Sequence, residues 1–113
     1  MRSQNATEEV NPLMSNEVLS LEQLESELKR LIRRYGAQRA YLFGSYARGE
    51  AHADSDVDVL VVGGPRFVPS DIFAIAEELY LAFGKRVDVY EVEELEKDTP
   101  FYRSVIDDRV LVA

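Results

Sequence analysis

The chain has 113 residues, a formal net charge of −8 and no cysteine, which bounds it to one small domain and excludes a disulfide scaffold, a thiol nucleophile and a cysteine-ligated zinc site. The acidic balance argues against a general nucleic-acid coat protein, which needs a positive surface to displace counterions, so no direct nucleic-acid binding is expected. No apolar run approaches the ~18 residues of a membrane span, and the polar start lacks a signal-peptide apolar segment, so a soluble cytoplasmic protein without membrane contact is expected.

Residues 1–18 show no sustained periodicity and are expected to form a tail or arm ahead of a domain spanning 19–113. Ser20 and Gln23 have the spacing of a capping box, Gly36 stands where a C-terminal cap belongs, and Leu21, Leu24, Leu28, Leu31, Ile32 and Tyr35 recur at helical spacing between them. This predicts a helix packed on the core. Arg39 to Phe43 is apolar and aromatic and predicts a buried strand that ends at Gly44, with a short helical segment after it. Val57 to Val62, a β-branched run stopped by Gly63-Gly64-Pro65, predicts a central strand covered on both faces.

Beyond that loop, Ser70 is expected to cap a second helix with Ile72, Ile75, Ala76, Leu79, Tyr80 and Phe83 on one face and Gly84 at its end. Arg86 to Val92 alternates Val87 and Val89 with Asp88 and Tyr90 and predicts a third strand. Thr99-Pro100 opens a last helix carrying Phe101, Tyr102, Val105 and Ile106, and Val110 to Val112 suggests an edge strand. Helix, strand, strand, helix, strand, helix with short connections predicts a single α/β or α+β layer structure. From Lys29 to Arg48 six residues are basic and none is acidic, which reads either as the solvated face of one helix or as a patch for a polyanionic ligand or acidic partner.

The chemistry lies in the carboxylates. Side chains alternate along a strand, so Asp56 and Asp58 point to one side, ~6.5–7 Å apart along the chain, and two acids can share one cation. If the third strand lies beside the second, Asp88 adds a third acid, and three so close raise one another's pKa unless a divalent metal compensates. Magnesium suits such a set, because it takes a few carboxylates together with waters and substrate phosphate oxygens. At Gly44-Ser45 a glycine allows close approach to a phosphate, and the serine hydroxyl and nearby N–H groups can donate to its oxygens. The combination suits phosphoryl or nucleotidyl transfer with two metals. Neither a Walker A sequence nor GxGxxG is present. Arg48 reads as a structural ion pair or a phosphate contact, His52 as an exposed residue, and Asp54 as a turn former or an outer-shell acid.

Gly44-Ser45, Ala47-Arg48-Gly49, Ser55-Asp56-Val57-Asp58 and Val87-Asp88-Val89 together resemble the signature of minimal nucleotidyltransferases of the DNA polymerase β superfamily. The likeness runs from about Leu21 to the C-terminus. It implies a mixed sheet of three to four strands flanked by helices, with Asp56 and Asp58 on two magnesium ions. Asp88 would complete that metal site and help activate the attacking hydroxyl, and Gly44 and Ser45 would hold the nucleotide phosphates. At this length the pattern resembles the antitoxin half of HEPN/MNT toxin-antitoxin pairs. That resemblance implies ATP as substrate, transfer of AMP to a tyrosine of a HEPN ribonuclease toxin, and a hetero-oligomer with that toxin. Two other readings stand beside it: a binding module that neutralises a toxin by contact alone, and a small-molecule nucleotidyltransferase, against which the missing acceptor domain counts.

Overall fold

The computed structural model describes residues 17–113, so residues 1–16 of the expected tail lie outside the described residues. The first helix, α1, spans Leu21–Tyr35. The Gln23 N–H donates to Ser20 Oγ at 3.0 Å and the Ser20 N–H to Gln23 Oε1 at 2.8 Å, so the capping box satisfies two of the amides that a helix start leaves without partners. Gly36 closes the helix at φ 72°, the left-handed conformation that a side chain resists. Leu24, Leu28, Leu31 and Ile32 are buried as their spacing requires. Leu21 is not: it stands at the first helical residue, 52% exposed, on the rim of an apolar hollow of about 370 Å³ shared with Val18, Leu24, Tyr46 and Val110.

The strands follow the expected pattern. β1 is Arg39–Phe43, β2 Val57–Val62, β3 Val87–Glu91 and β4 Val110–Leu111. They form one sheet in the order β3-β2-β1-β4, antiparallel at both edges of β1 and parallel between β2 and β3. The sheet is therefore mixed, and β2 lies inside it. Alternation along the strands sorts the core into two layers. Val57, Val59, Val61, Ala40 and Leu42 face α1 and the second long helix, α3 (Asp71–Phe83). Phe43 and Leu60 face the opposite way, against Val105 of the last helix, α4 (Pro100–Asp108). Among the described residues, no helix is long and apolar enough to cross a membrane.

Three local expectations are refined. Ser70 precedes α3 but is itself helical (φ −68°, ψ −11°) and makes no side-chain cap. The carbonyls of Val68, Pro69 and Ser70 accept the first amides of α3 instead, a tightened turn that leaves a side-chain cap nothing to satisfy. β3 starts one residue later and stops one residue earlier than the alternation suggested, and Val92–Glu94 forms a single 3₁₀ turn. There the buried Glu91 carboxylate accepts from the Glu93 N–H at 2.8 Å and the Gly63 N–H at 3.1 Å, turning the chain out of the sheet. The basic run is largely helix surface: Lys29 pairs with Glu25, Arg30 with Glu27 and Glu78, Arg34 with Glu78, and Arg48 with Glu50 and Asp108. Glu78 of α3 also accepts from the Tyr35 hydroxyl, so one carboxylate ties α1 to α3.

Leu28 is fully buried between α1 and the sheet. Leu28→Ala is expected to lower unfolding free energy by about 2–5 kcal/mol, lost transfer plus cavity. A urea melt with a lower midpoint and unchanged slope would show it.

Candidate active site

Parallel pairing of β2 with β3 puts Asp58 directly opposite Asp88 and Val57 opposite Val87. Asp56, two residues before Asp58, shares its face. The three carboxylates assigned from sequence therefore form an open row at one end of the sheet, on the α4 side. β1 arrives there as well. Phe43 is the register partner of Asp58, and the next residue, Gly44, starts the short helix α2 (Gly44–Arg48). Gly44 has φ +72°, and a Cβ built on it would collide with the Asp58 carboxylate. Glycine is thus required here for two reasons at once, backbone conformation and the closeness of Asp58.

Half-burial pushes the Asp58 carboxyl up to about 6, with the Asp88 and Asp56 charges adding to the effect and Arg48 and Arg86 opposing it. Ionising all three acids is costly without a compensating cation. Part of that cation is the chain's own: Arg86 Nε lies 3.8 Å from Asp56 Oδ2 and 3.9 Å from Asp88 Oδ1, on a side chain that is 76% exposed. Sequence reasoning passed over Arg86 as the first residue of a strand. The available signal was its place two residues before Asp88, which puts both on one face. The residues suit a magnesium ion by their chemistry: oxygen donors only, an open row rather than a cage, and a half-buried carboxyl beside two further acids whose charges a divalent ion would offset. As they stand, no three acidic, histidine or cysteine side chains among the described residues are gathered closely enough to hold a metal ion.

The remaining candidates separate. Arg48 donates to Glu50 Oε1 at 2.9 Å and to Asp108 Oδ2 at 2.6 Å, pinning α2 to α4. His52 is exposed, as expected. The turn that holds Asp54 is closed by the Ser55 N–H on the His52 carbonyl and the His52 N–H on Ser55 Oγ, both at 2.9 Å. Buried Lys85 donates to the Ala53 carbonyl at 2.7 Å, and the Val57 N–H donates to the Arg86 carbonyl at 2.9 Å. These two bonds fix the loop that delivers Asp56.

Residues 21–112 match the profile of the nucleotidyltransferase domain. The chain belongs to that family. Among its relatives, this nucleotidyltransferase is 45% identical over 78 residues to the protein adenylyltransferase MntA of Thermococcus cleftensis, an alignment covering 64% of this chain and 77% of the relative. It also resembles a solved structure described as a minimal nucleotidyltransferase, with TM-score 0.67 and 32% identity over 81% of this chain and 95% of the other. A crystal structure of a toxin-antitoxin with AMP-PNP matches at TM-score 0.67 and 25% identity, covering 79% of this chain and 72% of that one. The mixed four-stranded sheet flanked by helices is the architecture of these minimal nucleotidyltransferases.

Proposed function

We propose that this nucleotidyltransferase transfers AMP from ATP to a tyrosine hydroxyl of a partner toxin of the HEPN type, and that the two proteins form a hetero-oligomer. The observation that carries the reading is the register of Asp58 with Asp88, with Asp56 on the same face. It makes one acid row from two distant segments of a chain 45% identical to a protein adenylyltransferase. The structural neighbour solved as a toxin-antitoxin with AMP-PNP supports both the nucleotide and the partner.

In this reading Asp56 and Asp58 would hold magnesium, with Asp88 completing the set, and a metal bound there would supply positive charge to neutralise the substrate phosphates. The Gly44–Ser45 turn receives the triphosphate, and Arg48, held at the end of α2 by Glu50 and Asp108, adds positive charge toward it. An Asp88 oxygen takes the proton of the attacking hydroxyl as the new O–P bond forms at the α-phosphorus and pyrophosphate leaves. Arg86 occupies the carboxylate row as a counter-charge and, being exposed, can swing away when substrate arrives.

The test is to mix the purified protein with labelled ATP, magnesium and the product of the neighbouring reading frame, which this reading expects to be the HEPN-type toxin. The toxin is expected to take up label on tyrosine, and the Asp56→Asn protein is expected to leave it unlabelled. Equal labelling by wild type and Asp56→Asn would remove the catalytic assignment.

A further inference from the structure

The carboxylate row has an aromatic wall. Phe43 stands opposite Asp58 on β1, and Tyr90 follows Asp88 by two residues on the same face of β3. Phe101, in the first turn of α4, reaches down onto both. Its ring lies 5.5 Å from Tyr90 and 6.2 Å from Phe43, edge-on to the latter, and Phe43 and Tyr90 are 5.8 Å apart. These are the spacings of mutually supporting aromatic pairs. Phe43 is buried, whereas Phe101 keeps 46% of its surface exposed. Three segments far apart in sequence therefore build one apolar surface against a row of charge, with a half-exposed ring at its top.

We infer that Phe101, backed by Tyr90 and Phe43, selects an aromatic hydroxyl as the acceptor by packing against the ring whose oxygen is presented to Asp88. This deepens the reading above and rests on its assignment of Asp88. Distance argues for it. A phenol oxygen held at Asp88 carries its ring centre only a few ångströms away, within the ~6.5–7 Å that separates Asp88 from Tyr90 along the strand. Position argues for it as well. The phosphate turn leaves the end of β1, whereas Asp88 and Tyr90 lie on β3, at the opposite edge of the row. Tyr90, with Phe101 over it, thus extends the Asp88 side of the row, while Phe43, next to Gly44, borders the phosphate side. A serine or threonine acceptor would bring no ring to this surface and would leave Phe101 exposed beside the charges.

The experiment uses the full chain with magnesium and AMP-PNP, titrated with N-acetyl-tyrosinamide and, separately, with N-acetyl-serinamide, while aromatic NMR signals are followed. The tyrosine probe is expected to shift the Phe101 ring resonances and to saturate, and the serine probe to do neither. Phe101→Ala and Phe101→Leu should each weaken the tyrosine probe by roughly tenfold, near the upper end of what one aromatic pair contributes. AMP-PNP affinity should stay within about twofold, and Phe101→Trp should restore probe binding. The leucine variant keeps the apolar contact with Phe43 and Tyr90, so its loss reports the missing ring rather than a disturbed fold. Failure of the tyrosine probe to bind, equal binding of both probes, or unchanged binding in the alanine and leucine variants would overturn the inference. So would a loss confined to AMP-PNP, which would assign the wall to the nucleotide base. A protein that binds the phenol in this way yet labels no toxin would overturn the proposed function and leave this inference standing.

Discussion

Asp58→Asn is expected to cut nucleotidyl transfer by roughly 10²- to 10³-fold or more, the scale of removing a group that organises transition-state charge. In the absence of divalent ions it should at the same time make the protein more stable at neutral pH. The two effects have one cause. Asp58 stands between Asp56 and Asp88 and is half-buried, so its carboxyl is pushed up to about 6 in the folded chain, against about 3.9 in an unfolded one. Between those values the folded state binds more protons than the unfolded state, and stability falls as pH rises through that window. Asp58 therefore costs nothing below about pH 4 and its full penalty above about pH 6. Because the group is half-exposed, solvent screening reduces that penalty to about 1 kcal/mol. Melting curves from pH 4 to pH 8 should show the wild type losing a few degrees that the asparagine variant keeps. Adding magnesium should raise the wild-type midpoint by mass action and leave the variant nearly unchanged. A variant that responded to magnesium as strongly as wild type would remove Asp58 from the metal-binding set.

Gly44→Ala should be the second severe change, and it works by geometry rather than charge. The backbone cost of a left-handed φ at a residue with a Cβ is about 1–2 kcal/mol. More important for activity, the added methyl takes the space of the Asp58 carboxylate. Asp58 can relieve the contact only by rotating away, and a displacement of about 1 Å in a positioning group costs on the order of 10²-fold in rate. Near-normal folding with a large loss of transfer is therefore expected. Circular dichroism melts and the labelled-ATP assay, run on the same preparation, would read the two effects separately. Full activity in Gly44→Ala would mean that the observed position of Asp58 is not the working one.

Much of this molecule is legible from local sequence because its signals are local. Ser20 with Gln23, Gly36, and Thr99 with Pro100 each mark a helix end whose bonds close within four residues. Asp56 and Asp58 share a side because a strand alternates. Even here a local cue could mislead. Ser70 has the right type and place for a cap, yet backbone carbonyls satisfy the amides first. Leu21 has the right spacing for the core, yet it stands at the rim where α1 begins. Arg48 could be read two ways, and only the fold brings Asp108, sixty residues later, into bonding distance.

By itself, then, the sequence determined the elements, the shared side of Asp56 and Asp58 and the glycine turn, all set by contacts within a few residues, and it named Asp88 from its alternating strand and the family resemblance without placing it beside the other two. The tertiary structure decided the register. Pairing β2 and β3 in parallel with Asp58 opposite Asp88 makes one row from acids thirty residues apart, and a slip of one residue would have sent Asp88 to the other face. The same register carried Arg86 to Asp56, and the packing of α4 brought Phe101 over Phe43 and Tyr90. Those neighbours meet only once the sheet has formed, because no periodicity within a segment encodes which strand will lie beside it.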